Sequence, residues 1–117
     1  MTQDQVSNDD QGSVLLRIND GVAKVLFDRP HARNAMTWKM YEEMVAACDQ
    51  IVSDASVRAA VFQGVGGKAF VAGTDISQFS DFKDGEDGVA YENKVETFLT
   101  RVEKLPVPTI CVVEGWA

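Results

Sequence analysis

The chain has 117 residues, a length that fits one small domain. It carries 18 acidic and 11 basic residues, a formal net charge of −7, and this excess of negative charge argues against binding to nucleic acids or anionic membranes. The composition is 45% hydrophobic and 25% charged, as in ordinary globular proteins, and no apolar run approaches the roughly 20 residues of a membrane span. We therefore expect a cytoplasmic protein with no nucleic-acid or membrane partner.

The chain opens on a polar stretch that a hairpin follows. Residues 1–12 contain one apolar side chain after the initial Met, too few to offset the cost of ordering, so we expect a disordered lead-in. Residues 14–18 and 22–27 are rich in β-branched and other apolar residues and predict two strands. The Asp20-Gly21 pair between them is a strong signal for a tight hairpin turn.

A loop over residues 31–36 then leads to the first predicted helix. Thr37 is a plausible N-cap, and the helix is expected to end near residues 53–54. Apolar side chains recur after Thr37 at helical spacing, and they are Tyr41, Met44, Val45, Cys48, Ile51 and Val52.

Residues 58–63 form a short apolar run that predicts a buried strand, and the glycines of residues 64–67 predict a turn. A phosphate-binding loop of the Walker type needs Ser or Thr after Gly-Lys, but Ala69 follows Gly67-Lys68 here. A dinucleotide-binding turn should open a helix, whereas an extended segment follows this one. The glycines are therefore interpreted as a plain turn.

The remaining elements alternate between loops, a helix and a strand. Residues 69–71 are expected to be extended, residues 72–75 to turn into a short helix through residue 79, and residues 81–88 to form a mobile loop. A second helix is predicted over residues 89–105 and a buried strand over residues 109–113. This order predicts an α/β chain of repeated strand-strand-helix units. Both cysteines, Cys48 and Cys111, are expected to be buried and reduced.

The segment of residues 68–76 is the main candidate for function. Ala72 and Gly73 project little, so main chain or ligand can approach closely. A helix that begins near Asp75 would present unpaired N–H groups, which could stabilise a developing oxyanion. An ordinary strand-to-helix turn is the alternative, and the local physics alone favours it.

A family resemblance distinguishes these two interpretations. Phe70-Val71-Ala72-Gly73-Thr74-Asp75-Ile76 resembles the F-x-A-G-x-D-[IL] signature of the crotonase superfamily, the enoyl-CoA hydratase/isomerase family. Residues 29–36 resemble that family's R-P-x-x-x-N-A-[LM] loop, and the opening hairpin resembles its first strands. Residues 106–117 resemble its P-x-P-x-I-A-A-[VI]-x-G-x-A strand, so the likeness covers nearly everything from residue 13 on.

The resemblance implies a fold and a site. Residues 13–117 would be the N-terminal part of a crotonase-like spiral of strand-strand-helix units, apparently truncated. The backbone N–H of Thr74 would be one of two oxyanion-hole donors that polarise a thioester carbonyl. Substrate contacts are then expected at Ala72, Gly73, Asp75, Ile76, Arg33 and Ala35.

The resemblance also implies an activity for the intact protein. Hydration of a trans-2-enoyl-CoA is the first expectation, and double-bond isomerisation or a non-catalytic CoA-binding or assembly module are the alternatives. No metal or redox cofactor is implied, coenzyme A being part of the substrate, and a homotrimer or dimer of trimers is expected. The second donor, a glycine of a G-x-A-x-G-G-G run, and the acid/base carboxylates would follow Ala117, so the 117 residues alone are expected to be inactive.

Overall fold

A computed structural model describes residues 11–75 and 85–115, with side chains from residue 88 onward in the second stretch. The described elements are four strands, two α-helices and one turn of 3₁₀-helix at Pro30–Ala32. In chain order they are β1 (Ser13–Asn19), β2 (Val22–Asp28), α1 (Trp38–Ser53), β3 (Ala59–Gly64), α2 (Gly85–Glu103) and β4 (Thr109–Val112). The expected short helix through residue 79 and most of the expected disordered lead-in lie outside the described residues.

The four strands form one mixed sheet in the order β1-β2-β3-β4. β1 and β2 are antiparallel and join through Asp20 and Gly21, whose φ angles of 53° and 80° are those that a tight hairpin turn requires. β2 pairs with β3 in parallel, and β3 with β4 in parallel, so a helical crossover precedes each parallel strand. The predicted hairpin and the α/β class are confirmed.

Helix α1 begins where the sequence predicts. The Thr37 hydroxyl accepts a hydrogen bond from the Met40 N–H at 3.2 Å, which is the N-cap interaction. One face of the helix packs on the sheet and is buried, at Met40, Tyr41, Met44, Ala47, Cys48 and Ile51. Val52 was expected on this face but is 58% exposed, because it lies one residue beyond the buried stripe.

Helix α2 differs from its prediction at both ends. It begins at Gly85, so residues 85–88 are helical rather than part of a mobile loop, and it ends at Glu103 rather than residue 105. Residues 85–88 are polar and contain two glycines, and this composition is what predicted a loop.

The predicted burial of the last strand is wrong. β4 spans only Thr109–Val112 and lies at an edge of the sheet, with β3 on one side. Ile110 is 53% exposed, and Cys111 is also exposed, whereas Cys48 is 1% exposed as expected. An apolar sequence shows that a strand is suited to burial. Whether the strand is buried depends on the elements that pack against it in the fold.

The start of the described chain is tied to α1. Lys39 Nζ donates to the Gly12 carbonyl at 2.6 Å, and the Thr37 hydroxyl donates to the Gln11 carbonyl at 2.7 Å. These two residues of the expected lead-in are therefore held in place. Across the described ranges, neither helix is long and apolar enough to cross a membrane.

Candidate active site

Two segments that are distant in sequence pair through their main chains. The Met36 N–H donates to the Gly73 carbonyl at 2.8 Å, and the Asp75 N–H donates to the Met36 carbonyl at 2.9 Å. These two bonds make an isolated parallel bridge between Met36 and Thr74. The Ala72 N–H also donates to the Arg33 carbonyl at 3.1 Å. The 72–75 segment is therefore fixed against the 33–36 loop by backbone contacts alone.

This pairing determines the direction of the Thr74 N–H. Met36 bonds to the groups on either side of Thr74, and successive residues of an extended chain direct their N–H and C=O groups to opposite sides. The N–H of Thr74 therefore points away from Met36, and within the described chain it donates no hydrogen bond. Gly73 precedes it with a φ of 101°, and a Cβ built on Gly73 would meet no heavy atom within 4 Å. A fixed donor beside open space is what a developing oxyanion needs.

Asn34 connects the 33–36 loop to residues 65–69, which precede the Thr74 donor in the chain. Its side chain is 1% exposed, and its backbone adopts a left-handed φ of 60°. Its Oδ1 accepts from the Arg29 N–H at 2.8 Å. Its Nδ2 donates to the carbonyls of Val65 at 3.1 Å and Ala69 at 3.0 Å. One amide group thus bridges three stretches of chain.

An ion pair holds the other end of the 72–75 segment. Arg29 Nη1 lies 2.7 Å from Asp75 Oδ2, with side chains only 11% and 18% exposed. The same Nη1 donates to the Ala35 carbonyl at 3.2 Å. The guanidinium of Arg29 therefore binds groups of the protein itself, and it neutralises the Asp75 carboxylate.

Two cavities adjoin the 72–73 segment. The outer groove has a volume of about 450 Å³, and three of its lining residues, His31, Arg33 and Lys68, are basic or titratable. The inner cavity, of about 390 Å³, is almost entirely apolar. Ala72 lines the groove and Gly73 lines the inner cavity. The other inner walls include Phe27, Met36, Tyr41, Phe70, Leu99 and Cys111.

A hydroxyl pair lies next to the backbone donor. Tyr41 Oη and Thr74 Oγ1 are 2.7 Å apart, and either can be the donor. The Tyr41 ring stacks on Phe98 at 5.3 Å and contacts Trp38 at 5.7 Å, which fixes its orientation. Burial raises the pKa of Tyr41 above its ordinary value, and the hydrogen bond with Thr74 opposes that shift in part. Tyr41 therefore keeps its proton at neutral pH.

The structure brings most of the predicted site residues together. Arg33, Ala35 and Ala72 line the outer groove, and Gly73, Thr74 and Asp75 continue the same segment. Ile76 lies outside the described residues.

The sequence interpretation did not anticipate the contacts of Asn34, Arg29 and Tyr41, and it gave Lys68 no role of its own. Asn34 and Arg29 belong to the matched loop motif, but their partners lie up to 35 and 46 positions away in the chain. Tyr41 was placed only on the apolar stripe of α1. Lys68 opens the matched segment, so its position next to the signature was an available signal.

Comparison with known proteins identifies the class. A sequence model of the enoyl-CoA hydratase/isomerase family matches residues 17–117. The chain belongs to this family, and its four-stranded sheet with two helices is the N-terminal part of the crotonase-type fold.

Individual relatives carry several names within that class. The chain is 36% identical over 107 residues to a short-chain-enoyl-CoA hydratase from Clostridium acetobutylicum, covering 90% of this chain and 40% of the relative. It is 28% identical over 104 residues to enoyl-CoA delta isomerase 2 from Rattus norvegicus, covering 87% and 26%. A crystal structure of an enoyl-CoA hydratase/carnithine racemase from Magnetospirillum magneticum superposes with a TM-score of 0.81 at 29% identity, covering 87% and 39%. The chain thus spans between about a quarter and two fifths of the length of these proteins.

Proposed function

We propose that the intact protein is an enoyl-CoA hydratase that adds water to a trans-2-enoyl-CoA, and that the Thr74 N–H is one donor of its oxyanion hole. One observation carries this proposal: the N–H of Thr74 is fixed by the bridge to Met36 and points away from it, next to residues that line a basic groove and an apolar cavity. The parts of a CoA thioester match these features in order. Its anionic CoA moiety suits the basic groove, its carbonyl suits the N–H donor, and its apolar acyl chain suits the apolar cavity.

The geometry supports a definite placement of such a substrate. The CoA phosphates would lie in the outer groove near Arg33 and Lys68, and the acyl chain in the inner cavity. The thioester oxygen would then accept a hydrogen bond from the Thr74 N–H. When water adds at C3, negative charge develops on that oxygen, and one preorganised donor contributes about 3 kcal/mol to the transition state. The family resemblance implies that carboxylates beyond the 117 residues activate the water.

Isomerisation of an enoyl-CoA is the second candidate, favoured by the similarity to the rat delta isomerase. Both reactions pass through an enolate-like thioester, so the same donor serves both. The two are separated by assaying the protein on a 2-enoyl-CoA for hydration and on a 3-enoyl-CoA for migration of the double bond. A non-catalytic CoA-binding or assembly module would bind both and convert neither.

The accompanying proposals concern assembly and location. We expect a homotrimer or dimer of trimers that uses no metal or redox cofactor, acting in the cytoplasm. Light scattering on the product of the complete coding sequence measures its subunit number. The 117 residues alone are expected to show no hydration of crotonyl-CoA.

A proline at position 74 removes the backbone N–H donor without introducing a new polar group. Thr74→Pro eliminates the N–H, whereas the control Thr74→Ala keeps it and removes the hydroxyl and the methyl group of the side chain. We expect Thr74→Pro to lower kcat/KM for crotonyl-CoA about 10²–10³-fold, and Thr74→Ala to lower it far less. Full turnover by a folded Thr74→Pro variant would contradict the assignment.

A second measurement does not depend on the proline variant folding. A crystal structure of the wild-type protein with acetoacetyl-CoA is expected to show the thioester oxygen within hydrogen-bonding distance of the Thr74 nitrogen. A complex that holds this oxygen elsewhere would disprove the proposed role.

A further inference from the structure

The Asp75 carboxylate lies one residue from the proposed oxyanion donor. Consecutive Cα atoms of a trans chain are about 3.8 Å apart, so a charge on the short Asp75 side chain stays close to the Thr74 N–H. The Asp75 side chain is only 18% exposed, and water and salt screen a charge less at such a position than at the surface. An unneutralised carboxylate here would oppose the negative charge that develops on an oxygen bound to Thr74.

Arg29 supplies the compensating positive charge. Its Nη1 lies 2.7 Å from Asp75 Oδ2, and its own side chain is 11% exposed. The Arg29 main chain is held by the hydrogen bond from its N–H to Asn34 Oδ1. Its side-chain stem packs so closely on Gly12 that a Cβ there would lie 2.9 Å from the Arg29 Cβ and 3.0 Å from its Cδ. The positive charge is therefore in place before any substrate binds.

The direction of the Thr74 donor does not depend on this ion pair. The bridge to Met36 consists of main-chain hydrogen bonds, from the Met36 N–H to the Gly73 carbonyl and from the Asp75 N–H to the Met36 carbonyl. Removing both side-chain charges keeps every atom of these bonds. The charge of the pair and the geometry of the donor can therefore be tested separately.

We propose that Arg29 is a positioning residue for the reaction, which acts through Asp75: it holds the carboxylate and cancels the charge that would weaken the oxyanion donor. The inference rests on the proposed function, because that function places the thioester oxygen at the Thr74 N–H. The effect belongs to the transition state, since an uncharged thioester carbonyl meets little repulsion and an enolate-like oxygen meets the most.

Hydration of crotonyl-CoA by the product of the complete coding sequence tests this role. Arg29→Gln leaves the Asp75 carboxylate without its cation, and we expect kcat to fall roughly 10–100-fold while KM changes less than about threefold. The double variant Arg29→Gln/Asp75→Asn also removes the negative charge, and its kcat should be at least about fivefold higher than that of Arg29→Gln. A purely structural ion pair predicts no such recovery, because the double variant lacks the pair as well.

Arg29→Lys separates charge from geometry. Lysine keeps the positive charge but lacks the planar guanidinium, which here binds both Asp75 and the Ala35 carbonyl. We expect the kcat of this variant to stay within about threefold of the wild-type value. The matched control Arg17→Gln removes a positive charge from an exposed position of β1, and it should leave kcat and KM unaltered.

The outcomes separate the two proposals. If the wild type hydrates crotonyl-CoA but Arg29→Gln and the double variant have the same kcat, the role of Arg29 is disproved and the proposed function stands. If the wild type does not hydrate crotonyl-CoA, the proposed function itself fails. An equal loss in Arg17→Gln would trace the effect to net charge and overturn the role of Arg29.

Thermal melts establish which variants fold. If Arg29→Gln does not fold, Arg29→Lys decides the question, because it retains the charge that the proposed role requires. A folded Arg29→Lys variant with kcat reduced by about tenfold or more would overturn the inference.

Discussion

At the scale of single residues, the site depends on polar groups that are buried and fully used. Asn34 satisfies one N–H and two carbonyls, and Arg29 and Asp75 neutralise each other next to the segment that presents Thr74. No local pattern predicts most of these contacts, because all but the bond between Arg29 and Asn34 join residues far apart in the chain. The sequence does predict Thr74 as a donor position, since the motif around it is contiguous and its function belongs to the main chain.

Replacing Asn34 should destabilise the fold. Asn34→Ala leaves three backbone groups, one buried and two part-buried, without the partner that the amide provides, and we expect the free energy of unfolding to fall by about 2–3 kcal/mol. Urea denaturation measures the change. The control is Asn93→Ala on the exposed face of α2, expected to alter it by no more than about 0.5 kcal/mol. Equal effects of the two substitutions would refute this role of Asn34.

Gly64 is required where β3 meets the turn. A Cβ there would lie 2.3 Å from the Ala69 oxygen and 2.4 Å from the Phe70 oxygen, and main-chain atoms cannot move aside cheaply. Gly64→Ala should therefore lower thermal stability by about 1–3 kcal/mol of unfolding free energy. The matched control Gly88→Ala lies in α2, where a Cβ meets nothing within 4 Å, and should raise stability by about 0.5–1 kcal/mol. A thermal melt in which both variants shift in one direction would count against this explanation.

At the scale of elements, short-range signals were sufficient for β1, β2, α1 and β3. The Asp-Gly turn, the Thr37 cap and the spacing of apolar residues all act within a few residues of the structure they specify. The start of α2 and the exposure of β4 were missed because short-range signals do not determine them. The polar, Gly-containing residues that form the first turn of α2 look like a loop in the sequence, and the burial of β4 depends on what lies beside the sheet.

The cap of α1 provides a prediction at this scale. Thr37→Ala removes the acceptor for the Met40 N–H and should cost about 1 kcal/mol, whereas Thr37→Ser keeps the hydroxyl and should cost less. Amide hydrogen exchange at Met40 checks the mechanism directly and should be faster in the Ala variant. Unchanged exchange at Met40 would show that the cap does not stabilise the first turn.

At the scale of the whole molecule, the sheet divides the chain into a protected and an open region. Helix α1 packs on β1 and β2 and encloses Cys48, while β4 at the edge leaves Cys111 exposed. Mixed topology could be predicted as a class from the order of elements. The edge position of β4 could not, because strand order is a property of the assembled sheet.

The two thiols should differ in reactivity, because Cys48 is buried and Cys111 is exposed. Burial raises the pKa of Cys48, with Arg101 opposing part of the shift, so Cys48 carries less thiolate at a given pH and also requires local opening. In the 117-residue chain, we expect N-ethylmaleimide to modify Cys111 roughly tenfold faster or more, as measured by peptide mass spectrometry. The Cys111→Ser variant should retain only the slow reaction. Equal rates at both thiols would contradict the described packing.

The two cavities beside the 72–73 peptide also have a consequence for inhibitor design. Because one is basic and the other apolar, an anionic fragment and an apolar fragment can occupy them at the same time without competing. Joining two such weak fragments past Gly73 makes the second contact intramolecular, and a linker that matches the span can raise affinity by about 10²–10⁴-fold without any new contact. The left-handed backbone of Gly73 and the free space beside it would give that linker its route.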